Sequence, residues 1–186
     1  MTRGRPERRG GAARAWWIKC DPTAPAHGGW NWPDLFDGYE EGVPYTWSVG
    51  TALSQRNARE ARPGDPVFGY AAGEGHRHLL ALAEVVRGSV FVAGEGPAAR
   101  RGASPGGFTV DLRPVALLGR PLTLGEVRDA MRGLEPEFFR TRFGSIFKVR
   151  GPEFRRLRDA VERANPEVRF PRRWSARSAP ARHKKG

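Results

Sequence analysis

The sequence predicts an α+β domain built on a curved mixed β-sheet or small barrel that is flanked by short helices. The chain has 186 residues, enough for one domain of ordinary size, and 39% of them are hydrophobic, so it can bury a core. Its 24 glycines and 16 prolines favour short strands and many turns over a helical bundle. About six strand-like runs with short helical patterns between them then indicate the α+β class.

Strands dominate the first half of the predicted domain. Residues 15–20 (AWWIKC) combine aromatic and branched side chains and end at Asp21-Pro22, as a strand before a turn does. The run at 79–86 is almost wholly apolar, which is typical of a central strand. The elements predicted in this half are a strand at 15–20, a loop at 27–34, a short helix at 49–60, and strands at 67–70 and 79–86.

The second half alternates strands with helices. Residues 108–113 (FTVDLR) alternate apolar and polar side chains, the pattern of a half-buried strand. Thr123 and Glu126 have capping-box spacing and predict a short helix through Met131. The remaining predictions are a loop at 94–107, a strand at 143–149, and a last helix that Pro152 opens and Asn165-Pro166 ends.

The positive charge is concentrated at the two ends of the chain. The formal net charge is +12, of which residues 1–14 carry +4 and residues 172–186 carry +6. We therefore predict a disordered basic arm at 1–13, a folded domain at 14–171 and a disordered basic tail at 172–186. Such segments attract phosphate backbones without sequence preference, although arginine-rich ends also improve solubility or reflect a GC-rich genome. The predicted phosphate contacts are Arg3, Arg5, Arg8, Arg9, Arg172, Arg173, Lys184 and Lys185.

Several classes of protein are disfavoured by what the sequence lacks. No apolar run approaches the ~20 residues of a membrane span, and the basic N-terminus has no apolar segment behind it. We expect a cytoplasmic protein without a membrane partner. A single cysteine, Cys20, leaves no disulfide framework. His76 and His78 lie at a predicted hairpin tip, so neither a metal nor another cofactor is predicted.

Tryptophan is the unusual feature of the composition. The chain has six, and adjacent strand residues point to opposite faces, so Trp16 and Trp17 cannot enter the same core. Aromatic walls with a few polar groups suit a flipped or single-stranded base, because every base has a π-face and a polar edge. The alternative is that the tryptophans fill a glycine-rich core.

Four segments, in their order and spacing, resemble the EVE domain. They are WWIKCDP at 16–22, YTWSV at 45–49, PGDPVFGY at 63–70 and LALAEVV at 80–86, and RFGSIF at 142–147 also looks like the family's C-terminal part. EVE domains have a PUA-like fold related to the YTH readers of methylated adenine in RNA. The resemblance covers roughly residues 14–170 and implies a barrel-like sheet with a pocket for one modified nucleobase.

The resemblance also implies which residues bind the ligand. Trp47 matches the YTH cage tryptophan, and Ser48 matches the small residue beside it that reads the base edge. Lys19 and Cys20 match the pair on the first strand that lines the same pocket. Tyr70 matches the end of the strand after Gly-Asp. Trp17, Trp30 and Trp32 are the candidates for the other cage aromatics.

The resemblance leaves three functions to compare. A reader would bind DNA or RNA carrying a modified base, as a monomer, with a partner protein from a restriction or modification system. An amidohydrolase similar to ASCH domains would use Lys19 and Glu84 on a modified nucleoside, because burial of Glu84 would raise its pKa. A PUA-like protein of the ribosome or tRNA would need no modified ligand. We favour the reader and expect no catalysis.

Overall fold

The computed structural model describes residues 14–23, 31–39, 45–49, 51–73, 75–92, 107–141 and 144–176. The strands there are β1 Ala15–Cys20, β2 Tyr45–Val49, β3 Pro66–Ala71, β4 His78–Val92, β5 Gly107–Thr123 and β6 Ile146–Val149. The helices are α1 Trp32–Asp37, α2 Ala52–Glu60, α3 Leu124–Ala130, α4 Glu137–Arg140, α5 Gly151–Ala164 and α6 Arg172–Ala176. In the described part of the chain, no helix is both long and apolar enough to span a bilayer.

All six strands belong to one mixed sheet in the order β2-β5-β4-β3-β1-β6. β1 pairs with β3 in parallel, and the other neighbours are antiparallel. Register shifts interrupt the pairing of β4 with both β3 and β5. Such bulges increase the twist and bend a sheet, so the strands curl into a half-barrel. The predicted curved α+β fold is confirmed.

The curled sheet has a hydrophobic core on each face. The inner cluster, under α1 and α2, includes Trp16, Ile18, Trp32 and Trp47. The outer cluster, under the later helices, includes Trp17 and the three buried apolar side chains of α5, Phe154, Leu157 and Val161. A sheet that is buried on both faces explains why β1 reads as continuously apolar rather than alternating.

Several predicted elements match the structure closely. β1 and β3 lie where they were predicted, and α3 begins with the predicted capping box between Thr123 and Glu126. α5 ends at the Asn165 cap. Residues 89–92 extend β4. Most of the predicted 94–107 loop lies outside the described residues.

Other predicted elements have different bounds. Part of the predicted 27–34 loop is helical, because Asn31 caps α1 and Asp34 completes a capping box. Val49 ends a strand, and the predicted 49–60 helix begins only after Thr51. β5 continues through Pro114 to Thr123, much further than Arg113. Pro114 lies next to a register shift, where a missing N–H disturbs the ladder least.

The predicted start of the disordered tail is also corrected. Residues 172–176, which were assigned to that tail, form α6, and Trp174 is fully buried in the outer cluster. A large aromatic that buries its whole side chain contributes about 2–3 kcal/mol, which holds this segment on the sheet. The predicted arm at 1–13 and the rest of the tail at 177–186 lie outside the described residues.

Candidate functional site

The two adjacent tryptophans of β1 point to opposite faces of the sheet, as strand geometry requires. The Trp16 indole Nε1 donates a 3.0 Å hydrogen bond to Asp65 Oδ2 under the inner face. Trp17 packs on the outer face, where its ring stacks on Phe138 with centroids 4.2 Å apart and meets Tyr70 at 4.8 Å. Each face of β1 is therefore packed against its own set of aromatic rings.

Trp17 and Tyr70 do not share a pocket with Trp47. Both belong to the outer cluster, whereas Trp47 belongs to the inner one. Phe138 of α4 covers the Trp17 ring, which is 2% exposed. The prediction that these residues enclose one ligand together is corrected, because the sheet itself lies between them. Burial raises the pKa of Tyr70 above its usual value, and the charges of Arg77 and Arg128 oppose that shift.

Trp32 and Trp47 are brought together on the inner face. Their rings are nearly parallel, with 9° between the planes and 6.0 Å between the centroids. Trp32 is completely buried, while 7% of Trp47 remains accessible. Both rings are therefore part of the core, with Trp32 on its inner side, and Trp47 keeps the small accessible fraction of the pair.

The position of Trp32 depends on a close approach to Gly69 of β3. A Cβ atom at residue 69 would lie 2.6–2.8 Å from three atoms of the Trp32 ring. Trp32 begins α1 and its backbone N–H donates a 2.8 Å hydrogen bond to Asn31 Oδ1. The helix cap and the glycine together fix the ring that supports Trp47.

Cys20 lies at the edge of this aromatic pair. Its sulfur is 3.9 Å from Asn31 Oδ1, and its side chain is buried in the inner cluster. Burial raises the pKa of the Cys20 thiol to about 12. The thiol is therefore protonated at neutral pH, when it is a weak hydrogen-bond donor and a poor nucleophile.

The other predicted pocket residues have different placements. Lys19 follows the outer-face alternation of β1, and burial lowers its pKa although Asp21 opposes that shift. Ser48 follows Trp47 on β2, but its side chain lies outside the described part of the chain, as does all of Trp30. Of the eight predicted ligand residues, the structure places Cys20, Trp32 and Trp47 together.

Glu84 lies on the outer face, at the point where the C-terminal segment packs on the sheet. Its Oε1 accepts a 3.1 Å hydrogen bond from Arg173 Nε, and its Oε2 accepts from Arg113 Nη2 at 2.9 Å and from Arg173 Nη2. Burial of this carboxyl raises its pKa, but the hydrogen bonds and charges of Arg173 and Arg113 outweigh burial and hold the pKa below its ordinary value. The prediction of a raised pKa is wrong because both oxygens accept bonds from cations.

Lys19 and Glu84 are also far apart on the sheet. Glu84 pairs with Pro66 at the start of β3, whereas Lys19 pairs with Tyr70. Four residues along a strand correspond to about 13 Å. The structure therefore does not place these two side chains in one catalytic pair. Among the described residues, no three histidine, cysteine, aspartate or glutamate side chains are grouped as metal ligands would be.

Two features of the site were missed in the sequence. The Asn31 cap and the Gly69 contact both position Trp32, yet residues 27–34 were interpreted as a loop. The signal for the cap was present, since Asn31 and Asp34 have the spacing of a capping box around Pro33. The contact between Gly69 and Trp32 joins distant segments and has no local signal.

A curled mixed sheet with short helices and aromatic rings inside it defines a PUA-like domain. The EVE domain family model matches residues 14–160, so this chain belongs to the EVE domain family. No curated protein matches the sequence.

Solved structures of low sequence identity share the fold. A hypothetical protein from Leishmania major is 22% identical, with a TM-score of 0.67 over 83% of this chain and 98% of that one. Human THYN1, in complex with DNA that contains 5-methylcytosine, is 17% identical, with a TM-score of 0.64 over 85% and 99% of the two chains. A protein from Agrobacterium tumefaciens is 24% identical, with a TM-score of 0.59 over 80% and 93%.

Proposed function

We propose that this protein binds nucleic acid by stacking one modified base on Trp47. The observation that carries the proposal is the Trp32–Trp47 pair, in which a fully buried ring lies nearly parallel to a ring that keeps 7% of its surface accessible. An aromatic face held by the core can stack on a base without first being ordered, so less conformational entropy is lost on binding.

The polar groups beside the pair are uncharged, and Cys20 among them is fully buried. Cys20 and Asn31 meet on the inner face, and the thiol stays neutral because its pKa is raised to about 12. A neutral, largely apolar surrounding favours a small substituent such as a methyl group over a charged one. These surroundings support recognition of an alkylated base.

The first candidate ligand is 5-methylcytosine in DNA. Human THYN1, which shares the fold, was solved with DNA that contains this base, and this chain belongs to the EVE domain family. A pocket that fits a methyl group is expected to prefer the methylated form by roughly 10–200-fold.

The test is a panel of fluorescent oligonucleotides that differ in one base. Single- and double-stranded DNA and RNA would carry cytosine, 5-methylcytosine, adenine or N6-methyladenine, with anisotropy to measure binding and mass spectrometry to detect turnover. The proposal predicts tighter binding of one modified base with no change in mass. Equal binding to every oligonucleotide would indicate a general nucleic-acid-binding protein, and removal of the modification would indicate an enzyme.

A further inference from the structure

A group of exposed arginines surrounds the C-terminal end of α2. Arg14 Nη1 donates to the carbonyl of Glu60 at 3.3 Å, and Arg62 Nη1 donates to the carbonyls of Arg59 and Ala61 at 2.9 and 3.1 Å. Because these carbonyls form the negative end of the helix dipole, they hold the guanidinium groups in place. They carry no full charge, so they do not neutralise the arginines.

The same group extends onto the β4–β5 ribbon. A Cβ atom at Gly88 of β4 would lie 2.7 Å from the carbonyl oxygen of Ala61, so the end of α2 touches this strand directly. The Arg59 guanidinium lies 4.4 Å from the centre of the Phe108 ring on β5. An arginine stacked on an aromatic ring keeps its N–H groups available at its edges for another partner.

Buried carboxylates orient further arginines nearby. Arg87 binds Asp111 with 2.6 Å between Nε and Oδ2, and 64% of its side chain is exposed while the aspartate is buried. Arg113 and Arg173 bind Glu84 and remain 42% and 48% exposed. The carboxylates are covered, whereas the cations face solvent.

Backbone contacts place these arginines around one turn, with the α2 group on the inner face of the sheet and the Glu84 group on the outer face. Val85 exchanges hydrogen bonds with the turn that follows α2, donating to Asp65 O at 3.0 Å and accepting from Gly64 N at 2.7 Å. Glu84 and Arg87 therefore flank the same turn that carries Arg62. The resulting surface, here called the arginine rim, consists of Arg14, Arg59, Arg62, Arg87, Arg113 and Arg173.

We propose that the arginine rim binds the phosphodiester backbone of a nucleic acid. Within the described residues, these guanidinium groups form salt bridges with two carboxylates, Glu84 and Asp111. Glu60 near Arg14 and Asp65 beside Arg62 bring the carboxylates to four against six guanidinium groups, so the surface keeps an excess of positive charge. Guanidinium groups that carbonyls and carboxylates already orient lose less side-chain entropy when they meet a phosphate oxygen.

Two arginines of the rim border the basic terminal segments in sequence. Arg14 precedes β1, and residues 1–13 before it hold four arginines and one glutamate. Arg173 lies in α6, and residues 177–186 after that helix hold two arginines, two lysines and no acid. The rim therefore adjoins both basic segments in sequence. In this proposal, the folded domain itself provides part of the phosphate binding.

The groove between α3 and α5 differs from the arginine rim in its net charge. This groove, of about 560 Å³, has Arg120, Arg156 and Arg163 among its lining residues, together with Glu126, Asp129 and Asp159. Its charges balance, so it provides no net attraction for a polyanion. Exposed arginines on that side are suitable control positions.

The inference rests on the proposed nucleic-acid binding but not on base recognition. The test compares Arg59→Gln/Arg62→Gln with the control Arg132→Gln/Arg163→Gln, which removes the same charge from the α3–α5 side. Binding of unmodified and 5-methylcytosine 20-bp duplexes is measured by anisotropy between about 50 and 200 mM salt. Arg59→Lys/Arg62→Lys, which keeps the charge, and circular dichroism distinguish lost phosphate contacts from lost folding.

The rim variant should lower the slope of log K against log salt by about 1.8, equally for both duplexes, since each phosphate contact on duplex DNA contributes about 0.9. The control and the lysine variant should keep the wild-type slope. An unchanged slope in the rim variant, or an equal loss in the control, would overturn the proposal. Equal wild-type binding of the two duplexes would overturn base recognition alone, because the slope on the unmodified duplex still decides the role of the rim.

Discussion

The Cys20 thiol shows how burial determines the chemistry of a single residue. Cys20 is the only thiol of the chain that could act as a nucleophile, but burial raises its pKa to about 12. Since the thiolate is the reactive form, we predict negligible labelling of the native protein by a thiol reagent at pH 7–8 and full labelling in denaturant. Labelling of the native protein at the rate of a free thiol would show that the side chain is accessible.

Gly69 is predicted to be required for the position of Trp32. In Gly69→Ala the new methyl group would overlap the Trp32 ring, so we expect a loss of about 1–3 kcal/mol in the free energy of unfolding and a changed tryptophan fluorescence spectrum. Urea denaturation measures the first effect. The control is Gly125→Ala in α3, where the nearest atom is 3.8 Å from the new Cβ; because alanine favours helix, this variant should be neutral or slightly stabilised. Equal stability of the Gly69 variant and wild type would contradict the close contact.

At the scale of elements, the Glu84 contacts attach α6 to the sheet. Glu84→Gln removes the charge that Arg113 and Arg173 share, and we expect a loss of about 1–3 kcal/mol in the free energy of unfolding. Trypsin should then cleave after Arg172 or Arg173 faster than in the wild type, because α6 opens more often. Arg132→Gln, which breaks an exposed pair with Asp129, is the control and should change stability by less than about 0.5 kcal/mol. Unchanged cleavage in Glu84→Gln would mean that Trp174 alone holds the helix.

The same contacts predict a pH dependence with a definite sign. The pKa of Glu84 is lower in the folded protein than in the unfolded chain, where glutamate titrates near about 4.3. The stability from this carboxylate is therefore complete above the unfolded pKa and is lost as the pH falls through the folded pKa. Chemical denaturation at a series of pH values should show that the difference between wild type and Glu84→Gln narrows below about pH 4.3. A difference that stays constant into that acid range would contradict the assigned pKa shift.

Short-range sequence patterns correctly predicted those elements that depend on neighbouring residues. Alternation predicted that Trp16 and Trp17 face opposite sides, and the spacing of Thr123 and Glu126 predicted the start of α3. The length of β5 could not be read from its pattern, because Pro114 lies inside the strand beside a register shift. α6 was missed because its arginines resembled a solvated tail, although Trp174 was a signal for burial.

At the scale of the whole molecule, the curl of the sheet determines which predicted site residues meet. β2 pairs with β5 at one edge, and the curl brings Trp47 over the inner face onto Trp32. The same curl leaves Trp17 and Tyr70 on the outer face. The sequence identified the aromatic residues and the family, but the grouping of Trp32 with Trp47 follows from long-range register that no local pattern encodes.

The proposed function depends most on a modified base stacking on Trp47. The most direct test measures how strongly the Trp47→Leu variant prefers a 5-methylcytosine oligonucleotide over the same oligonucleotide without the modification. Trp17→Leu, the same change on the outer face, is the matched control, and Trp47→Phe keeps an aromatic face. We predict that Trp47→Leu binds the modified oligonucleotide more weakly by about 1–3 kcal/mol and loses the preference, while folded Trp17→Leu and Trp47→Phe retain it. A folded Trp47→Leu protein with the wild-type affinity and preference would contradict the account.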